Sequence, residues 1–190
     1  VRWLFLKKYD IIYVDPPWTY RDKALSGNRG AECKYPVLSL EDLRNLNIQE
    51  LASDHCAMFM WVTFPMLAEG LELIKTYGFT YKTVGFVWIK TNKKSGGFFM
   101  GMGNYSRSNA EVCLIGIKGR PQRVSKSIRQ VVESPLEQHS KKPGIVRDRI
   151  VELMGDKSRI EIFAREKIEG WDCLGNDVDG LDIRETLKKE

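Results

Sequence analysis

Tyr9-Asp10-Ile11-Ile12-Tyr13-Val14-Asp15-Pro16-Pro17-Trp18 is an apolar run closed by an acid, two prolines and an aromatic. Residues 11–14 show no polar alternation, which is how a strand covered on both faces reads. The run therefore predicts a buried strand over Tyr9–Val14 with Asp15 at its carboxyl end. Pro17 bars Pro16 from helical geometry and fixes the direction of its carbonyl. The tip thus offers a planar amine two acceptors, the Asp15 carboxylate and the Pro16 carbonyl, with Trp18 placed to stack on the ring that carries the amine. An exocyclic amine on a nucleobase delocalises its lone pair into the ring and is a poor nucleophile until it is held and pyramidalised. The pattern suits N-methylation of a base.

Outward from this strand, strand-like and helix-like segments alternate, the pattern of a mostly parallel sheet with helices on both faces. Ser39-Leu40-Glu41-Asp42 resembles a capping box opening a helix that carries Leu40, Leu43, Leu46 and Leu51. Cys56–Val62 is a second strand. Pro65 starts an amphipathic helix with Leu67, Leu71 and Ile74 on one face and Gly78 as its stop. Tyr81–Ile89 and Glu111–Ile117 follow as strands, then a helix over Ile145–Met154 stopped by Gly155, then a fifth strand over Arg159–Ala164.

The 190 residues, 43% of them hydrophobic, suffice for one sizeable core and are too few for two ordinary domains with a linker, so a single domain over 1–190 is expected. Cys33, Cys56, Cys113 and Cys173 are scattered with no C-x-x-C, and His55 and His139 have no i+4 partner. Neither a zinc site nor a disulfide framework is expected, and no metal. No apolar stretch approaches the roughly 18 residues of a membrane span, and Val1–Asp10 lacks a signal-peptide layout. Reduced thiols in a cytoplasmic protein are expected.

Charge is localised. Lys118 to Arg149 holds nine basic residues against three acidic ones, so this stretch carries +6 of a chain whose net charge is +5. It reads either as a solvated loop and helix face or as a phosphate-binding surface whose affinity falls with salt. Two long loops, 91–109 and 119–143, are expected to be mobile and to meet substrate. The first mixes Lys93, Lys94, Phe98, Phe99, Tyr105 and Arg107 with glycines, suited to stacking bases and pairing phosphates. Its Gly101-Met102-Gly103 lacks the third glycine and the helix of a dinucleotide fingerprint.

Tyr9 to Trp18, Tyr35-Pro36, Trp61-Val62-Thr63, Trp88 to Asn92, His139 to Pro143, Glu161 to Arg165, and Trp171 through Gly175-Asn176 resemble, in order, the N6-adenine methyltransferase family often called "MT-A seventy", of bacterial or phage type. The likeness runs over nearly the whole chain. It implies an α/β, Rossmann-like S-adenosylmethionine-dependent methyltransferase fold in permuted order, catalytic strand early and donor strand late. Ligands of such sheets gather outside the carboxyl ends of strands. The resemblance makes Asp15, Pro16, Pro17 and Trp18 the catalytic set. Lys142, Glu161, Phe163, Arg165 and Asn176, with Asp15, lie where relatives hold S-adenosylmethionine, which leaves as S-adenosylhomocysteine. Lys142 and Arg165 suit the methionyl carboxylate, Glu161 and Asn176 the ribose hydroxyls or the ammonium, and Phe163 either flanks the adenine or fills the core. Tyr35, Lys90, Asn92, Arg107 and Glu111 match the target-nucleotide side, although Glu111 suits a structural ion pair equally.

Two departures stand out. Larger relatives place an acid well upstream to bind the cofactor's adenine, and only 14 residues precede Asp15 here. Asn176-Asp177 replaces an Asn-Gln pair, which leaves a hydroxyl contact at Asp177 in doubt. The resulting expectation is methyl transfer to the N6 amine of adenine in DNA, from a flipped-out or single-stranded base, by an enzyme whose small size makes a homodimer useful. RNA adenosine methylation, a silent nucleic-acid-binding subunit and methylation of a protein amide are the competing readings.

Overall fold

β1 (Tyr9–Val14), β2 (Ala52–Val62), β3 (Thr80–Thr91), β4 (Glu111–Lys118), β5 (Val131–Pro135), β6 (Arg159–Ile162) and β7 (Asp172–Leu174) form one seven-stranded sheet in the order β5-β3-β4-β2-β1-β6-β7. These strands come from a computed structural model that describes residues 7–18, 38–103, 105–137 and 141–188. β1 pairs in parallel with both β2 and β6, β6 with β7, and β3 with β5. β4 runs antiparallel to both of its neighbours. The expected α/β architecture is therefore present, with one reversed strand that no periodicity announced.

β1 reads as an unbroken apolar run because each of its faces meets a different core. Ile12 and Val14 point to one side with Met58 and Met60, where Leu43 of α1 (Leu40–Arg44), Leu73 and Ile74 of α2 (Leu67–Thr76) and Ile183 of α5 (Ile183–Thr186) cover them. Ile11 and Tyr13 point to the other with Ala57 and Phe59, beneath Val146, Ile150 and Met154 of α3 (Ile145–Met154). The remaining helix among the described residues, α4 (Asn176–Asp179), is a single turn after β7.

Local chemistry explains where elements begin and end. Ser39 Oγ accepts the Asp42 N–H at 3.0 Å while Asp42 Oδ2 accepts the Ser39 N–H at 3.1 Å, a reciprocal cap that opens α1 as its sequence predicts. The helix lasts only five residues, and a 3-10 turn over Ile48–Leu51 carries the chain on, yet Leu43, Leu46 and Leu51 are all buried. Pro65 lies in a 3-10 turn over Phe64–Met66 that leads into α2. Gly78 and Gly155 stop α2 and α3 with φ of 79° and 87°.

The parallel register sets the direction of the molecule. Val14 pairs with Met60 on β2 and with Ile162 on β6, so Asp15, Thr63 and Phe163 leave the sheet at one edge. β3 and β5 end at that edge too, since Thr91 pairs with Pro135. β4 arrives there at Glu111, opposite Trp88, and leaves at Lys118, opposite Cys56, at the far edge. Loop 92–110 thus sits at the Asp15 edge. The 119–143 segment does not behave as one substrate loop: its first part starts from the far edge because β4 is reversed, and Val131–Pro135 is an edge strand.

Candidate active site at the strand tips

Asp15 follows the last buried residue of β1, and its carboxylate meets a buried ammonium. Lys142 Nζ lies 2.9 Å from each Asp15 oxygen and 3.3 Å from Glu111 Oε2, and it sits 5.8 Å above the centre of the Trp61 ring. Lys90 Nζ closes on the other oxygen of Glu111 at 2.6 Å. The order Asp15–Lys142–Glu111–Lys90 alternates in sign, which is the arrangement that lets four charges leave water together. Burial pushes the Asp15 carboxyl above its ordinary value against the pull of Lys142. Burial also works against the Lys142 ammonium, but Asp15 and Glu111 outweigh it and raise its pKa. For Glu111, burial is outweighed by Lys142 and Lys90, and its carboxyl is held below 4.5. Asp15 is not sealed: its side chain is 20% exposed.

A second pair lies beside the first. Arg147 of α3 grips Glu161 of β6 with two hydrogen bonds, Nε to Oε2 at 2.6 Å and Nη2 to Oε1 at 2.7 Å, both residues being buried. The guanidinium stands 5.8 Å over the Tyr13 ring, and the Tyr13 hydroxyl accepts the Trp61 indole N–H at 2.5 Å. Tyr13 and Trp61 thus form an aromatic floor spanning the two ion pairs. Tyr13, Asp15, Lys141, Lys142, Arg147, Glu161, Phe163, Arg165 and Glu166 line a common opening of about 350 Å³, counting space open to solvent. Lys141 and Glu166 pair across its mouth at 2.6 Å.

The expected catalytic set is more constrained than an open aromatic plate. The Pro16 carbonyl accepts the Trp18 N–H at 2.9 Å; a carbonyl has two lone pairs, so one acceptor site is left. Trp18 itself is 6% exposed, packs in the first core and donates its indole N–H to the Trp61 carbonyl at 3.2 Å. Stacking of Trp18 on a ligand ring is therefore not available in this conformation, because the indole is turned inward where its N–H finds a partner. Pro17 anchors the turn by accepting the Leu38 N–H at 3.0 Å.

Among the expected donor-site residues, Asp15, Lys142, Glu161, Phe163 and Arg165 converge on the opening. Phe163 does so with φ of 65°, the left-handed region that costs a non-glycine residue about 1–2 kcal/mol, while packing against the first core. Asn176 does not line the opening. It is exposed at the start of α4 and accepts the Ile183 N–H through Oδ1 at 3.2 Å, which ties α4 to α5. Of the residues expected on the substrate side, Lys90 and Glu111 join the charge network around Asp15. Asn92 donates to the carbonyls of Gly97 and Phe98, folding loop 92–110 on itself, and Arg107 donates to Met102 Sδ at 3.3 Å on the same loop. Tyr35 lies outside the described residues, as does His139.

Sequence reasoning missed three contributors. Arg147 is flanked by the apolar stripe Val146, Ile150 and Met154, and a charge so close to a buried stripe is the only hint it offers. Asn109 brackets the loop base by accepting the Lys90 N–H at 2.8 Å and donating to the Lys90 carbonyl at 2.9 Å. The Lys141–Glu166 pair is invisible without the fold. Among the described residues no three His, Cys, Asp or Glu side chains gather as a metal site, and no helix is long and apolar enough to cross a membrane.

The sequence profile described as MT-A70 matches residues 9–177 of this chain. The type II methyltransferase M.MunI of a Mycoplasma species is 36% identical over 190 residues, covering 90% of this chain and 78% of that protein. The human N(6)-adenosine-methyltransferase catalytic subunit METTL3 is 29% identical over 94% of this chain, which spans 30% of its length. A Medicago truncatula protein named as a putative MT-A70-like N(6)-adenosine-methyltransferase is 30% identical, and the chain spans 27% of it.

Proposed function

This chain belongs to the MT-A70 family of methyltransferases, and we propose that it moves a methyl group from S-adenosylmethionine to the exocyclic amine of adenine in DNA. The observation that carries this reading is the Asp15 carboxylate at the tip of β1, opening onto the same cavity as Lys142, Glu161 and Arg165. The donor fits the residues present. A methionyl carboxylate needs cations, which Lys142 and Arg165 offer; ribose hydroxyls or an ammonium need an acceptor, which Glu161 offers with the lone pairs Arg147 does not use. Bound there, S-adenosylmethionine supplies an electrophilic methyl on a sulfonium.

The chain's own residues then act on the amine. Asp15 accepts one of its N–H bonds and Pro16 the other, through the carbonyl lone pair not engaged by Trp18. Positive charge grows on that nitrogen as the N–CH3 bond forms and the S–CH3 bond breaks, and the proton the alkylated nitrogen then sheds passes to the Asp15 carboxylate that already accepts its N–H. A fixed carboxylate and carbonyl aimed at it stabilise the charged state more than the neutral amine, and Asp15 has no need to be a strong base. Lys142 pulls the carboxyl toward ionisation against the burial that favours its protonation. The buried floor of Tyr13 and Trp61 excludes water from below.

DNA is favoured over RNA by the type II methyltransferase relative, which matches at higher identity and along most of its length, whereas the adenosine-modifying relatives match over less than a third of theirs. The test is purified protein with labelled S-adenosylmethionine and adenine-containing DNA and RNA oligonucleotides. Label in DNA as N6-methyladenine is expected. Label in RNA alone or in neither polymer contradicts the proposal.

A further inference from the structure

The basic stretch divides in space. Lys141, Lys142 and Arg147 stand at the Asp15 edge, whereas Arg120, Arg123 and Lys126 follow the end of β4 at the far edge. Glu111 to Lys118 is an eight-residue strand, so the two edges lie roughly 25 Å apart. Resting on the reading of the active site above, we propose that the segment 119–129 is a second nucleic-acid docking surface, which grips the phosphate backbone of a duplex without reading bases or taking part in methyl transfer.

Three observations carry this. No acidic residue occurs between Lys118 and Val132, and Arg120, Arg123, Lys126 and Arg129 are all exposed. None of these four side chains makes an ion pair among the described residues, whereas Lys90, Lys141, Lys142 and Arg147 at the Asp15 edge are paired with carboxylates. The backbone that presents them is pinned: the Arg120 N–H donates to His55 Nδ1, the Val124 N–H to the Leu153 carbonyl, Lys157 Nζ to the Gln122 carbonyl, and Arg149 Nη1 to the Arg129 carbonyl. Gly119 makes the turn, with φ of 63° and room for no side chain, since a Cβ would fall 2.1 Å from the Asp54 carbonyl oxygen. Fixed cations without counter-charges, on a chain whose polymer substrate carries one charge per about 1.7 Å of duplex axis, have an evident partner.

The test uses an adenine-free 30-base-pair duplex, which offers no target to the active site. Its affinity is measured against salt for the wild type and for Arg120→Gln/Arg123→Gln/Lys126→Gln. Loss of about two to three phosphate contacts should lower the slope of log K against log salt by about 2 to 3 and weaken binding by about tenfold or more at low salt. The rate of methyl transfer at saturating adenine-containing oligonucleotide should stay within about twofold. Hydrogen exchange on the wild type should show slower amides over 119–129 when the duplex is added. An unchanged slope, equal falls in binding and saturated turnover, or binding of these residues to phosphatidylserine vesicles in place of the duplex overturns the proposal. A wild type that transfers no methyl group but loses its salt slope in the variant refutes the assigned activity and leaves the docking surface standing.

Discussion

At the Asp15 edge of the sheet Lys90, Lys141, Lys142 and Arg147 are each matched to a carboxylate; at the far edge three exposed cations face solvent with none. The same residue types therefore do different work. Arg147 is buried and the Lys142 side chain is only 10% exposed, so each must be paired to be tolerated at all, and removing one partner strands the other where water solvates it poorly. Arg120, Arg123 and Lys126 are hydrated, so their removal alters the field around the molecule and little inside it. Net charge hides this difference; only the direction of β4 reveals it.

The sharpest way to break the comparison is at Arg147. Arg147→Met leaves Glu161 buried and unpaired and should cost about 3–5 kcal/mol of stability in denaturant unfolding. A loss no larger than that of a surface substitution means that the fork to Glu161 is solvated after all. Smaller is the pH-dependent contribution of Glu111. Its carboxyl is held below 4.5 by Lys142 and Lys90 despite burial, so the folded state releases this proton more readily than the unfolded chain does. The stabilisation is present above 4.5 and disappears as pH falls through the lowered value. Asp15, raised by burial, works in the opposite sense and takes up its proton earlier in the folded state. Glu111→Gln should therefore be less stable than wild type by about 2 kcal/mol near neutral pH, with the gap closing in acid. A gap constant across that range contradicts the network. Smallest is the stability effect of neutralising Arg120, Arg123 and Lys126, about 0.5 kcal/mol or less at each position in the same unfolding assay. A larger loss places these side chains in the structure of the domain and not on its surface.

What the chain discloses without coordinates is uneven, and the reasons are physical. β1 and its acid-proline-proline-aromatic tip are local, so an apolar run and a stiff turn suffice to place Asp15. The Ser39 cap and the glycine stops at Gly78 and Gly155 are likewise short-range chemistry. β5 escapes because an edge strand of five residues containing Glu133, Ser134 and Pro135 has no apolar signature. The reversal of β4 escapes because alternation carries no direction, and with it went the position of residues 119–129. The inward turn of Trp18 depends on a carbonyl 43 residues away, and the Asp15–Lys142 pair joins residues 127 apart. Family resemblance named five residues, Asp15, Lys142, Glu161, Phe163 and Arg165, that share one opening, yet it did not indicate Arg147 or the outward placement of Asn176.

The central claim is that the carboxylate at the tip of β1 acts on the amine that receives the methyl group. Single-turnover methyl transfer by Asp15→Ala, with S-adenosylhomocysteine affinity and unfolding measured on the same preparation, tests it most directly. The account predicts a folded protein whose rate is lower by on the order of 10²-fold or more. A variant that folds, binds the product and methylates adenine at a rate near that of the wild type contradicts it.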